Sequence, residues 1–220
     1  MRYLHLMAVG ILLLRADAGA RAEEKPAVFF NGKDLTGWEG LTQFWSVKDG
    51  ALVGASPEEG LKFNTFLCSK QKFGDFELKF KVRLSGDLAH ANSGVQIRSE
   101  LKDRDHYVVW GPQCDMGQHY WASLFGEHFG GSKPGEHSTL KAANLEVVKK
   151  VLKPGEFNDY SIKAVGKHVT IQLNGATTVD ADIDNLPADG IIAFQIHAGP
   201  KMEVTFKDIS FKDLGRKKKD

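Results

Sequence analysis

The stretch of residues 75–85 constrains the fold more than any other part of the sequence. Its apolar side chains alternate strictly with charged ones: Phe76, Leu78, Phe80, Val82 and Leu84 against Glu77, Lys79, Lys81 and Arg83. Because successive side chains of a strand point to opposite faces, this pattern predicts a strand with one buried face and one wet face. Similar runs are found at residues 44–47, 51–55, 65–69, 93–100, 107–115, 159–165, 168–173, 190–197 and 203–211. So many short strands predict an all-β fold, a sandwich of two antiparallel sheets.

Turn residues separate these strands at short intervals. Asp49-Gly50 and Gly166-Lys167 predict tight hairpins, and Asn174-Gly175 predicts another turn. Residues 140–152 have helical spacing, although 147–152 fit a strand equally well, and Pro154-Gly155 ends the segment. Since no linker or change of composition divides the chain, we expect one domain over residues 23–214.

The first 22 residues have the layout of a secretory signal peptide. A short basic start precedes the apolar run 3–14, and small residues lead to a cleavage point near Ala22. The run is too short to cross a bilayer as a helix, which takes about 20 residues. A buried N-terminal helix is the alternative. We therefore expect an exported protein, periplasmic or extracellular, with no stable membrane insertion.

The net charge of +1 combines parts of opposite sign. The leader and the basic C-terminal tail, residues 215–220, are cationic, whereas the intervening chain carries a small acidic excess. The tail is either a solvated end or an electrostatic tether to an anionic envelope. Because phosphate binding needs a concentrated basic surface, nucleic acid is not an expected partner.

Three predicted strands each carry hydrogen-bonding or titratable side chains two residues apart. The members of these polar faces are Gln96 and Arg98, Gln113 and Asp115, and Gln195 and His197, with Asn92 just before the first strand. If the strands are neighbours, these groups form one polar patch suited to recognition. Otherwise they are ordinary surface residues.

An aromatic segment follows the second of these strands. Tyr120, Trp121 and Phe125 precede Glu127. Aromatic rings pack on the apolar faces of sugars, so the segment indicates carbohydrate binding, although Trp121 could equally belong to the core. Cys68 and Cys114 lie in predicted strands and are either one disulfide or two buried thiols.

The order of short motifs along the chain resembles the 3-keto-disaccharide hydrolase family. The matching segments are residues 30–38 (FNGKDLTGW), 45–54 (WSVKDGALVG), 73–78, 92–95 with Arg98, 111–115 (GPQCD), 158–160, 173–175, 195–200 (QIHAGP) and 204–209. The resemblance implies a concanavalin A-like jelly-roll with its sugar site on one sheet. It also implies action on glycosides already oxidised to a ketone at C3. Phe157 stands where many relatives have Trp, and residues 128–146 have no clear family counterpart.

The chemistry of such a substrate needs three kinds of group. The C3 ketone acidifies the C2–H bond, so a base at C2, a stabiliser of the enolate and an acid for the leaving oxygen permit β-elimination. His197 is the candidate base, because imidazole ordinarily titrates near neutral pH; a structural histidine is the alternative. Arg98 is the candidate stabiliser and Glu127 the candidate acid.

The remaining polar residues are candidates for binding. Substrate contacts are expected from Gln113, Asp115, Trp121, Gln195, Asn92 and Gln96. Asp115, Glu127 and His197 are also candidate ligands for one divalent cation. Two other functions stay open: a non-catalytic carbohydrate-binding module, and a direct glycoside hydrolase that uses Asp115 and Glu127 as its carboxylate pair.

Overall fold

A computed structural model describes residues 28–215, which form two antiparallel sheets of seven strands each, packed face to face. The strands are β1 (Trp38–Glu39), β2 (Trp45–Lys48), β3 (Ala51–Ala55), β4 (Thr65–Phe73), β5 (Asp75–Gly86), β6 (Asn92–Asp103), β7 (Val108–Gly117), β8 (Leu124–Glu127), β9 (Ser138–Lys141), β10 (Asn158–Val165), β11 (His168–Leu173), β12 (Ala176–Asp182), β13 (Gly190–Ile196) and β14 (Met202–Gly215). The first sheet has the order β1-β4-β13-β6-β7-β8-β9 and the second β12-β11-β10-β5-β14-β3-β2. The predicted all-β jelly-roll sandwich is confirmed.

The core lies between the sheets and is built from the apolar side of each alternating strand. On β5, Phe76, Leu78 and Phe80 are at most 3% exposed. The Phe80 ring stacks on Tyr160 of β10 with 5.3 Å between centroids. The alternation at residues 75–85 therefore sets which face is buried. The leader, residues 1–22, and residues 216–220 of the tail lie outside the described residues.

The predicted turns are present, and the helical segment is shorter than expected. Lys48 pairs with Ala51 across a two-residue turn, in which Asp49 and Gly50 have φ of 50° and 78°. The one α-helix of residues 28–215, α1, covers Leu145–Val151, where the Asn144 side chain caps its first backbone N–H groups. None of the helices in the described range could cross a membrane.

The β6–β7 hairpin bends over the outer face of the first sheet, the face turned away from the core. The pairing register shifts between Gln96 and Glu100, and Arg98 in between has a φ of 48°. As a result, the Tyr107 carbonyl accepts a hydrogen bond from the Phe66 backbone N–H at 3.1 Å. Cys68 is buried beneath this bend, whereas Cys114 faces the main core, and both are free thiols.

Candidate functional site

The three predicted polar strands are neighbours in the first sheet. Val95 of β6 pairs with Phe194 of β13 on one side and with Cys114 of β7 on the other. These three residues point into the core, so the alternate residues of the same strands share the outer face. The predicted patch of adjacent polar side chains is therefore present.

The side chains of this patch are buried and bonded to one another. Gln113 Nε2 donates to Asp115 Oδ1 at 2.7 Å and to Gln195 Oε1 at 3.2 Å, and the Gln96 amide lies 3.1 Å from Gln113 Oε1. Burial raises the pKa of Asp115 to about 8; the hydrogen bond from Gln113 opposes this rise and the charge of Glu127 adds to it. These four side chains, the buried polar layer, are at most 4% exposed. They support a site rather than line it.

A cavity of about 560 Å³ opens beside the buried polar layer. Its lining consists of Phe63, Asn64, Val108, Phe125, Glu127, His128, His137 and His197. The volume is in the range of small-molecule sites. The cavity brings together Glu127 and His197, the candidate acid and base, although they are 70 residues apart in the chain.

The tautomer of His197 follows from its surroundings. Nδ1 lies 2.5 Å from the Ala198 carbonyl oxygen, which can only accept, so Nδ1 is the donor nitrogen and Nε2 carries the lone pair of the neutral imidazole. Asn64 connects this region with the acid: its Oδ1 accepts from the Ala198 N–H at 2.8 Å, and its Nδ2 donates to Glu127 Oε1 at 3.0 Å. One amide thus fixes the backbone beside the base and one oxygen of the carboxylate.

Three side chains at the cavity could together hold a metal ion. Ligand atoms of Glu127, His128 and His137 lie within 4.8 Å of one another. His128 Nδ1 donates to the Gly135 carbonyl at 2.9 Å, so Nε2 is the nitrogen of His128 that could bind a metal. His137 Nδ1 accepts a hydrogen bond from the His128 backbone N–H at 3.2 Å. A carboxylate and two imidazoles suit a divalent transition metal. Of the predicted ligands Asp115, Glu127 and His197, this group contains Glu127 and neither of the other two.

Arg98 is in a position that its predicted catalytic role does not fit. The bulge in β6 turns its side chain away from the buried polar layer, and the side chain is 1% exposed. Its guanidinium donates to the carbonyls of Gly74, Gly166 and Pro187 and pairs with Asp75 at 2.8 Å. These contacts join the ends of the two sheets, so we assign Arg98 a structural role.

Trp121 is also placed differently from its predicted role in substrate binding. The residue is 7% exposed and packs in the core cluster, so its ring offers no surface to a sugar. Phe125, from the same aromatic segment, does line the cavity. Asn92 Oδ1 and Gln195 Nε2 are buried without a protein partner, which is rare in native structures. Neither residue lines the cavity, so their substrate contacts stay predictions.

The structure shows where two unusual parts of the sequence lie, Phe157 and the segment 128–146. Phe157 lies on the second sheet, where Arg83 and Lys207 sit over its ring at 4.7 and 3.9 Å, away from the cavity. The segment 128–146 supplies His128 and His137 to the cavity. The high content of His and Gly in this segment is the sequence feature that could have identified these two histidines. Nothing in the local sequence marked Phe63 or Asn64.

Solved structures of carbohydrate-related proteins share this fold. A candidate glycosyl hydrolase from Parabacteroides distasonis is 21% identical, with a TM-score of 0.62 over 86% of this chain and 94% of that one. A second candidate glycosyl hydrolase from the same organism is 23% identical, with a TM-score of 0.58 over 83% and 96%. The carbohydrate-binding module CBM66 from Bacillus subtilis is 16% identical, with a TM-score of 0.57 over 80% and 95%.

At these identities, the structures show a shared fold alone, and a search of curated proteins found no match. A family model gives a more specific result. The 3-keto-alpha-glucoside-1,2-lyase-like domain matches residues 25–212, which include every residue of the cavity and both sheets except the end of β14. Membership indicates a carbohydrate-active, hydrolase-like or carbohydrate-binding domain. The chain belongs to the 3-keto-alpha-glucoside-1,2-lyase-like domain family.

Proposed function

We propose that this protein cleaves the glycosidic bond of 3-keto-glycosides, including oxidised disaccharides, by β-elimination followed by hydration. The observation that carries the proposal is that His197 and Glu127 line one cavity, with the lone pair of the neutral His197 imidazole on Nε2. Export of the protein is part of this proposal and rests on the leader pattern. N-terminal sequencing of the mature protein would test the expected cleavage near Ala22.

The proposed reaction begins at C2 of the oxidised ring. His197 Nε2 takes the C2 proton, and the electron pair of that bond forms an enolate with the C3 ketone. The enolate then expels the oxygen on C1, and Glu127 gives this oxygen a proton. The products are a sugar with a C1–C2 double bond conjugated to the ketone, and a free alcohol. Addition of water across that double bond yields the 3-keto sugar.

Asn64 and the buried polar layer have positioning roles in this scheme. Asn64 holds one Glu127 oxygen and the backbone next to His197. Phe63 and Phe125 provide aromatic surface for the sugar ring. Asp115 is buried, accepts a hydrogen bond from Gln113 and does not line the cavity. A direct hydrolysis mechanism with Asp115 and Glu127 as facing carboxylates is therefore disfavoured.

A bound metal would change the role of Glu127. Glu127, His128 and His137 would hold the cation, and it would supply positive charge beside the ketone and enolate oxygens. Glu127 would then be a ligand rather than the proton donor. Activity measured with a chelator and after readdition of divalent cations distinguishes these two roles.

The proposal is tested by assaying the protein on a 3-keto-disaccharide and on its unoxidised parent. We expect the wild type to convert only the keto form, through an enone visible in the ultraviolet. His197→Ala and Glu127→Gln should lower kcat by about 10²- to 10⁴-fold, the usual contribution of acid–base groups. His168→Ala, on the second sheet, is the matched control and should leave kcat unchanged.

Several outcomes would contradict the proposal. Cleavage of the unoxidised parent at a similar rate would favour direct hydrolysis. If the wild type binds the sugar and yields no product under any metal condition, the domain is a binding module. Thermal unfolding of each variant shows whether a loss of activity reflects a loss of fold.

A further inference from the structure

We propose that a second cavity, next to the first, binds the sugar that leaves in the reaction; this inference rests on the proposed function. The cavity has a volume of about 620 Å³, again in the range of small-molecule sites. Trp110, Lys72 and Lys102 form one part of its wall, and residues 128–135 form another. Asn185 and other residues between β12 and β13 complete the lining.

The two cavities meet at His128, which lines both. Its ring lies 4.1 Å from that of His137 in the first cavity and stacks on Trp110 of the second at 5.1 Å, centroid to centroid. Because His128 belongs to both linings, the two cavities adjoin, and a ligand longer than one sugar ring that fills the first extends toward the second.

The order of the reactive groups gives the second cavity its role. Glu127 pairs in register with Gly111, which lines the second cavity, and Glu127 directly precedes His128. His197 lines only the first cavity. The backbone of the proton donor thus adjoins the wall of the second cavity, whereas the base belongs to the first cavity alone. β-Elimination needs this order, because the base acts on the oxidised ring and the acid acts on the oxygen of the departing one.

The lining suits a sugar chemically. Trp110 contributes aromatic surface, and Ser132, Asn185 and Lys102 offer hydroxyl, amide and ammonium groups for hydrogen bonds. The wall at residues 128–135 is held in place, since the Glu136 carboxylate accepts from Ser132 Oγ at 2.9 Å and from the Lys133 N–H at 3.0 Å. The subsite is therefore formed before the substrate binds.

A bulky substitution at Asn185 tests this role without changing the proposed catalytic groups. Asn185 is exposed and lines the second cavity, whereas the neighbouring Asp184 is exposed and does not. The experiment measures kcat/KM of wild type, Asn185→Trp and Asp184→Trp on two substrates. One is a 3-keto-disaccharide, and the other is the methyl glycoside of the same 3-keto sugar, whose leaving group is too small to reach the second cavity.

We expect Asn185→Trp to lower kcat/KM for the disaccharide by at least about 10-fold and to leave the methyl glycoside within about twofold, since steric exclusion from a pocket has effects of this size. Asp184→Trp should change neither value. Equal losses on both substrates, or no loss on the disaccharide, would overturn the inference while leaving the proposed function intact. If the wild type converts neither 3-keto substrate, the proposed function itself fails, and the inference falls with it.

Discussion

The two sheets of the sandwich differ most in the faces that they turn away from their shared core. On the second sheet this face is open to solvent and carries pairs of long charged side chains, such as Lys81 with Asp208 at 3.1 Å and Lys163 with Glu77 at 3.5 Å. On the first sheet the equivalent face is covered, and it carries the buried polar layer. The same alternation of side chains therefore produces an ordinary wet surface in one sheet and a supported cavity in the other.

The difference between the two outer faces arises where the β6–β7 hairpin bends over the first sheet. The bulge around Arg98 lets the β6–β7 hairpin fold over β4 and β13, where an apolar cluster that includes Phe66 and Ala193 forms beneath it. Gln195 and Gln96, which pair in register with these two residues, are fully buried. Buried polar groups need partners because each one left unpaired is costly. The amides and Asp115 provide partners for one another, although Gln195 Nε2 is left without one. Three predictions test whether the two faces differ energetically as well as in position.

The largest effect is expected at Arg98. Arg98→Met should lower the free energy of unfolding by about 3–5 kcal/mol, because it leaves Asp75 and three carbonyls without their buried donor. On the second sheet, Lys163→Met removes one member of a half-exposed pair and should cost less than about 1 kcal/mol. Urea unfolding of both variants measures the contrast. Similar costs for the two would show that the buried contacts of Arg98, next to the bend of the first sheet, add no more stability than an exposed pair on the second sheet.

The second prediction concerns the pH dependence of stability through Asp115. Burial raises its pKa to about 8 in the folded state, above its ordinary value of 3.8. Because the folded state then binds the proton more tightly, stability falls as the pH rises from about 4 to about 8, by roughly 1.4 kcal/mol for each pH unit at most.

Asp115→Asn should flatten this slope, since an amide cannot titrate. Unfolding curves recorded across this pH range, with chelator present, measure the effect. Asp208→Asn, at an exposed carboxylate of the second sheet, is the control and should keep the wild-type slope. An unchanged slope in Asp115→Asn would show that this carboxyl is not desolvated as the structure indicates.

The smallest effect is expected from matched glutamine substitutions. Gln113→Leu leaves Asp115 and Gln195 without the donor that joins them and should cost about 1–3 kcal/mol. Gln172→Leu, on the second sheet, removes only a 3.3 Å contact with Thr177 near the surface and should stay within about 0.5 kcal/mol. Chemical denaturation gives both values. If Gln113→Leu is neutral, the buried polar layer does not hold itself together as described.

The sequence was most informative where the pattern is local. The alternation at residues 75–85 predicted β5 to within one residue, and the turn at Asp49-Gly50 was predicted correctly. Strands β1, β8, β9 and β12 were not predicted, because β1 has two residues and the short runs of the others are interrupted by glycines or polar residues. Arg98 shows the limit of counting by two, since a bulge reverses the parity that places a side chain on one face.

The sequence by itself determined the two-sheet architecture, the polar character of three strands and, through its ordered motifs, the family. Periodicity and turn chemistry act over a few residues, so they can be read directly. Only the tertiary structure decided that Trp121 belongs to the core, that Asn64 connects Glu127 with the backbone beside His197, and that His128 lies between two cavities. These placements depend on pairing between distant strands and on how far one hairpin bends, and neither is encoded in any short stretch of chain.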